Sequence, residues 1–589
     1  MKLSKRKTLT KALSVLLASS LLITVAGCNQ PKSTSASASG KKYAEEITYD
    51  DYEATQNFQG LQTGWFAKII KDKFNIKLNV IAPNMSGQAT FQTRSAAGNL
   101  GDLVSVQKVD LSNVVKAGLL MDMSPLMKDH GSNLSKYPVA INSIKSYLKT
   151  DKMYAIPNGL STLSPTEPNV FANGATVQTQ DGSAPYLRWD LYQAIGSPKM
   201  NTMEDILPVL KKMQDLCPKS NSGKKTYGFS FFKDWDSQAM KNVWSSFPAM
   251  YGYNMVTGTS TILTNGDSSK LDVQRLDDEN GLYYKTLKLY YQANKMGLVD
   301  PDSPSQTWNT LTVKTKDGQV LFSQWAWAAM SQYNTTDLGN ATAPKGFEFV
   351  PIADQKYWDG GNNPNGSGGI TAIGIKAKDP ARLMDFINWL ADPETELMIA
   401  NGPKGSTWDV KDGQPVLTDF GLKVHQDGKT QMPESLGGGP FEAGAAMSAM
   451  ISQNSINSIL NTPSTSSLWP SVLDNSATKL DKSWQLAMDA KNMIDYTKKH
   501  NMLVVSAGND YIPPLDTMDI KSERAICQKF ITNTSWQMIF ASNDAQFNSL
   551  WSKMKSQLKG NGWEDIVATD MKISKDYNAA CQQVINTVK

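Results

Sequence analysis

Apolar and polar positions change their period several times along the 589 residues. Residues 12–26 are almost continuously apolar, preceded by Lys2, Lys5, Arg6, Lys7 and Lys11 and followed by a Ser/Ala-rich polar stretch, residues 31–40. A basic start, a short apolar centre and a small-residue end describe an export signal rather than a membrane-spanning helix. Ordered elements are expected from Tyr43 onward. Residues 46–49 read as a strand, 65–74 as an amphipathic helix with Trp65, Phe66, Ile69 and Ile70 on its apolar side, and 76–81 as a second strand. A helix at 91–98, an apolar strand at 103–106 and a helix at 111–119 continue the alternation, which predicts a parallel α/β sheet.

Farther along, residues 151–157 form a turn and an extended segment stopped by Pro157. A strand at 186–188 ends on Arg188, and Asp190 caps a helix at 191–195 that Gly196 terminates. The stretch Asn201-Thr202-Met203-Glu204-Asp205 has the offset of a capping box opening a helix at 206–216, with Pro208 in its first turn. A strand at 370–375 precedes a helix at 380–390, whose apolar side carries Leu383, Met384, Phe386, Ile387 and Leu390. Residues 402–470 are loop-rich, and helices are expected at 483–497, 522–538 and 544–559. So long a chain exceeds what one core usually supports, so two or more lobes are expected.

Charge narrows the partners. Five of the 59 basic residues lie before Cys28, which leaves 54 against 55 acids, so the remainder is near neutral. No Lys/Arg run marks a nucleic-acid surface. Cys217, Cys527 and Cys581 are isolated in sequence, and His130, His425 and His500 lie far apart, so no zinc cluster or cofactor is expected. Cys527 and Cys581 can be paired or free. The 15 Trp and 20 Tyr are more telling: an indole offers a flat apolar face and one donor, which suits the C–H faces and hydroxyls of sugars.

Val25-Ala26-Gly27-Cys28 resembles the bacterial lipobox, in which the cysteine thiol is acylated and becomes the mature N-terminus. Several internal segments resemble the extracellular solute-binding lipoproteins of carbohydrate ABC importers, family 1 type. Arg94-Ser95-Ala96-Ala97-Gly98-Asn99-Leu100-Gly101-Asp102-Leu103-Val104 is similar to that family's L-A-S-G-D-L-P-D-I-V stretch, and Lys116-Ala117-Gly118-Leu119-Leu120 to its A-x-x-G-L-L. The run from Asp151 to Pro157 resembles G-K-x-Y-G-I-P. Leu187-Arg188-Trp189-Asp190-Leu191 with Gly196 resembles I-R-K-D-x-L-x-x-x-G. Asn401-Gly402-Pro403-Lys404-Gly405 with Trp408 resembles the N-G-I-E-G-x-x-Y of the larger oligosaccharide-binding lipoproteins of Gram-positive bacteria. Asn99, Gly101 and Ala155 depart from these patterns, at turn positions.

The resemblance implies an α/β, two-lobed, periplasmic-binding-protein-like fold with a hinge and an interlobe cleft. The expected division is a signal peptide at 1–27, a tether at 28–42, a first lobe of 43–160 plus about 346–390, and a second lobe of 161–345 plus about 391–589. The implied role is capture of an oligosaccharide by a lipid-anchored monomer on the outer face of the cytoplasmic membrane and delivery to ABC importer permease subunits, with no catalytic residues. The alternatives are a surface sensor feeding a signalling receptor and a glycoside hydrolase.

In open α/β sheets ligands bind beyond the carboxyl ends of strands. Candidate contacts there are Gln107 and Lys108 after one strand and Arg188 after another, the last able to fork onto hydroxyls or a uronate. Aromatic candidates are Trp65 at a helix start, Trp235 with Asp236, Trp308, Trp327 and Trp358. Trp325 and Trp327 alternate, so one is expected to face the core and the other the cleft. Trp235, Trp327 and Trp358 lead the set.

Overall fold

The strand Ile47–Glu53 organises the first lobe. It pairs in parallel with Ile76–Ile81, Ile47 opposite Ile76 and Tyr52 opposite Ile81, and with Leu103–Gln107, Glu53 opposite Ser105. Gly369–Ile373 then joins antiparallel to Leu103–Gln107 and to Ile156–Pro157, completing a six-stranded sheet with Gly60–Leu61 at its other edge. In the computed structural model the described residues are 43–54, 59–83, 89–167, 183–233, 240–244, 246–257, 262–265, 271–366, 368–444, 450–452, 456–472 and 477–588. Residues Glu45–Lys589 form one unit. Cys28, the expected leader and tether, Trp235 and Asp236 lie outside the described residues.

Alternation along these strands divides the sheet's faces. Tyr52, Val104, Val106, Ile370 and Ala372 pack in one buried cluster with Leu111 and Ile144. Phe66 and Phe74 of the helix Gly64–Phe74 meet Trp389, and Phe74 also meets Phe386, both from the region of the helix Pro380–Leu390.

The second lobe is built on Ser183–Arg188, flanked antiparallel by Phe322–Trp325 and Phe347–Phe349. Bridges Tyr227–Val320 and Phe229–Val299 widen this sheet on the Phe322–Trp325 side. Its core gathers Tyr186, Leu187, Trp189, Phe229, Trp244 and Tyr290 with Met538, Phe547, Trp551 and Trp563 from the C-terminal helices Met518–Ile539, Asp544–Lys559 and Trp563–Val588. The Thr202/Asp205 capping box forms, heading a 3₁₀ turn that runs into Ile206–Leu216. The helix expected at 483–497 is two, Lys479–Met488 and Met493–Lys499, because Asp489 turns left-handed (φ 48°) and Asn492 caps the second.

The expected lobe boundaries need correction. Phe347–Phe349 pairs with Ser183–Arg188, so the chain just past residue 346 belongs to the second lobe. Much of residues 393–472 belongs to the first: Trp65 Nε1 donates to Phe441 O at 3.0 Å, and Asn401 Nδ2 of the helix Pro393–Asn401 donates to Ser464 O at 2.7 Å. Period and composition carry no record of such long-range pairing.

Three segments meet where the lobes join. Tyr357–Asp359 lies parallel to Leu503–Val505, and Ser506 N donates to Asp359 O at 2.8 Å. Asn362 Nδ2 reaches Ser164 O at 3.0 Å, and Gly508 N reaches Pro165 O at 2.9 Å. At Gly361 (φ +70°) a Cβ would stand 2.3 Å from Ser506 O and 2.6 Å from Pro165 O, so only glycine fits this crossing.

Candidate functional site

Strand register identifies the facing ends of the two sheets. Gly369–Ile373 enters beside Gln107, and Ile156–Pro157 leaves beside Ile370, so the first sheet meets the crossing segments at its Gln107 end. In the second sheet Ser183 pairs with Trp325, while Phe347–Phe349 runs from Arg188 toward Tyr186 and on to the crossing. The Trp325 end therefore faces the first lobe. Arg188 stands at the opposite end.

On the second lobe that end is aromatic. Trp325 closes its strand, and Trp327 lies in the first turn of the helix Ala326–Tyr333. Trp325 and Trp327 stack with centroids 5.0 Å apart and planes at 21°. Trp308, first residue of the helix Trp308–Lys316, lies 4.9 Å from Trp327 and 5.3 Å from Phe232. Trp308 and Trp327 keep part of their surface accessible, whereas Phe232, Leu311, Trp325 and Ala328 are buried beneath them. Beside this cluster is a water-sized recess of about 20 Å³ lined by the buried rings of Phe229, Phe231, Phe322 and Trp325, with Ser230, Ser323 and Gln324 as its polar groups.

A polar network behind the cluster holds it in place. Lys314, on the helix that carries Trp308, contacts Asp300 at 2.7 Å and Asp302 at 2.8 Å. Ser230 Oγ donates to Asp300 Oδ2 at 2.7 Å, and Phe231 N donates to Ser303 Oγ at 3.1 Å. The segment before Phe232 and the Trp308 helix are thereby fixed to one buried carboxylate. Burial opposes the Lys314 charge, but its two aspartates outweigh it and raise the ammonium above its ordinary value.

The first-lobe wall is polar. Gln107 is exposed at the strand end, and Lys108 begins the helix Lys108–Lys116. Lys108 is only 6% exposed: its Nζ lies 3.8 Å from Asp510 Oδ2 and 5.5 Å from the Tyr147 ring centroid. Burial lowers its pKa, and Asp510 offsets part of the shift. Asp51 and Glu53 share a face of Ile47–Glu53, fully or almost fully buried. Burial pushes the Glu53 carboxyl up to about 7, against a bond to Ser105 that lowers it. Burial drives Asp51 well above the carboxylate range, and Glu53 adds to the shift. Thr371 Oγ1 donates to Asn158 Oδ1 at 2.8 Å two strands away.

Of the residues singled out in the sequence, Gln107, Lys108, Trp308 and Trp327 fall at the facing ends. Three do not serve as expected. Arg188 is 3% exposed and forks onto Asp190, Nε to Oδ1 at 2.9 Å and Nη2 to Oδ2 at 2.7 Å, with its guanidinium 4.5 Å from the Tyr333 centroid. It braces the far end of the lobe because the strand runs away from the cleft, which sequence does not reveal. Trp65 is 1% exposed and stacks on Phe441, 6.0 Å between centroids. Trp358 is buried at the crossing, its Nε1 donating to Ser506 Oγ at 2.7 Å. Sequence reading passed over Phe232, Asp51, Glu53, Tyr147 and Asp510. Only the acids left a trace, as charges inside a β-period. Among the described residues Cys217, Cys527 and Cys581 form no disulfide, and no cluster of metal-ligating residues occurs.

No protein-family model matches the chain. It is 22% identical over 357 residues to lipoprotein LipO of Bacillus subtilis strain 168, a match covering 56% of this chain and 61% of that relative's length. Among solved structures, it is similar to an HMO-binding, ABC-transporter-associated solute-binding protein from Bifidobacterium longum infantis (TM-score 0.57, 14% identity, 90% of this chain and 99% of that one). It is also similar to the alginate-binding protein AlgQ2 (0.54, 14%, 90% and 98%). A third is the Streptococcus pneumoniae ABC-transporter substrate-binding protein FusA in complex with kestose (0.53, 15%, 90% and 100%). The shared property is the fold, a two-lobed α/β architecture of the periplasmic-binding-protein kind, and the similar structures are described as binding proteins.

Proposed function

We propose that this chain is an extracellular solute-binding protein that captures an oligosaccharide between its lobes and delivers it to the permease of an ABC importer, making and breaking no bond. The observation that carries this reading is the Trp308–Trp325–Trp327 cluster at the end of the second sheet that faces the first lobe. Partly accessible indoles offer apolar faces to sugar rings, and Gln107, exposed across the cleft, suits hydroxyls. The meeting of three segments around Gly361 gives a hinge on which the lobes can close. The descriptions of the similar proteins, which name kestose, alginate and HMO as ligands, support the same class.

The protein would work as a monomer, anchored through a diacylated Cys28 after loss of residues 1–27. Two acyl chains suffice for stable attachment where one is marginal. Binding is tested by a thermal-shift screen of the mature protein against plant and microbial oligosaccharides, since a ligand that binds only the folded form raises its stability by mass action. No shift with any saccharide, or hydrolysis of one that binds, refutes the reading. For the anchor, Cys28→Ser should move the protein from the membrane fraction to the medium with saccharide binding unchanged.

A further inference from the structure

We infer that Asp300 is a positioning residue for the ligand, on the saccharide-binding reading above: this buried carboxylate sets the placement of the indoles that meet the sugar, without touching it. Asp300 is 1% exposed and lies where three segments behind the aromatic cluster come together. Its N donates to Phe229 O at 2.8 Å and Ser230 Oγ donates to its Oδ2 at 2.7 Å, so it holds the segment that leads to Phe232. Lys314 Nζ, from the helix Trp308–Lys316, donates to the same Oδ2 at 2.7 Å. Asp302 N donates to Oδ1 at 3.1 Å and shapes the turn that leads to Gln306. Gln306 completes the tie: its side chain donates to Ser230 Oγ at 2.8 Å and to Phe231 O, and its carbonyl accepts from Lys233 N at 3.0 Å.

Trp308 follows directly, packed on Phe232 at 5.3 Å and on Trp327 at 4.9 Å. Its helix is therefore held at the start by Gln306 and farther along by Lys314. Trp308 and Trp327 keep part of their surface accessible, so neighbours confine each ring on one side only, and the backbone beneath decides where it stands. Groups held in place before a ligand arrives lose less entropy on binding, which makes that backbone part of the affinity. Of the two carboxylates on Lys314, Asp300 is the one that can fix it. Asp302 is exposed, where an ion pair constrains little, whereas Asp300 and the Lys314 side chain are largely removed from water, where a charged hydrogen bond is strong.

The experiment is titration calorimetry of the mature protein with malto-, cello-, manno-, xylo- and fructo-oligosaccharides, alongside far-ultraviolet circular dichroism. Indoles this close couple their transitions, and the component of the spectrum that Trp327→Phe removes reports their geometry. Asp300→Asn keeps the side-chain shape and removes the charge that holds Lys314, and it should weaken binding roughly tenfold and diminish that component. Lys314→Met should do the same, and the double variant should lose no more than either single one, because both act through one bond. Lys314→Arg keeps the cation and should preserve affinity and spectrum. Lower thermal stability with affinity and spectrum unchanged in the folded variants overturns the inference, as does weaker binding with the indole component intact. If Asp300→Asn fails to fold, the contrast between Lys314→Met and Lys314→Arg decides. Binding of no oligosaccharide by the unmodified protein overturns the saccharide reading itself.

Discussion

Arg188 offers the sharpest test, because it looks like a ligand contact in the sequence and a brace in the structure. The perturbation is Arg188→Met, which keeps the length of the stem and removes the guanidinium. Two bonds to Asp190 and the contact with the Tyr333 ring are lost, and Asp190, which also accepts from Gly346 N at 3.3 Å, keeps a nearly buried charge without its cation. Breaking a buried pair from one side costs about 3–5 kcal/mol. With an m-value of about 3 kcal/mol/M this lowers the urea midpoint by roughly 1 M or more. The double variant Arg188→Met/Asp190→Asn removes both charges and should recover much of the loss, leaving a deficit of about 1–2 kcal/mol. Unfolding is followed by circular dichroism, and saccharide affinity is measured by calorimetry at low temperature, where the variant stays folded. Affinity should match that of the unmodified protein. A tenfold weaker Kd with an unchanged urea midpoint would refute the reasoning and return Arg188 to the cleft.

Trp327→Ala removes the partly accessible ring between Trp308 and Trp325 and should weaken saccharide binding about tenfold, near 1.4 kcal/mol, as read by calorimetry, with little change in the urea midpoint. Glu396, fully buried with neither carboxyl oxygen hydrogen-bonded, has its pKa pushed up to about 8 by burial. Its folded pKa lies above the unfolded one, so its contribution to stability is complete below about pH 4.5 and is lost as pH rises toward 8. By pH 7 the loss is about 3 kcal/mol, and Glu396→Gln should flatten the fall in urea stability between pH 5 and 7.5 by that amount. Gly361→Ala should destabilise the protein and weaken ligand binding more than Gly413→Ala. Both glycines have positive φ, but only at Gly361 does a Cβ meet backbone atoms.

Both lobes were legible in outline from local signals. The alternation at 76–81 and the helix at 380–390 appear almost residue for residue as Ile76–Ile81 and Pro380–Leu390, because each buries one face and writes that face into its period. The break at Asp489 was not read, since it is a single left-handed residue. The strand alternation expected to part Trp325 from Trp327 does not form, because the strand ends at Trp325 and Trp327 lies in the following helix, stacked on Trp325.

Sequence by itself determined the fold class. Strands alternating with helices suit the two-lobed α/β architecture found, and the leader-like residues before Cys28, the near-neutral charge and the abundance of indoles set the expectations for its role. Only the tertiary structure decided which of those indoles and cations are buried and which keep accessible surface. Trp65 and Trp358 are buried by segments more than a hundred residues away, and Arg188 is removed from the cleft by the direction of its strand. Burial and strand direction depend on long-range pairing, and no local pattern encodes a partner that distant in the chain.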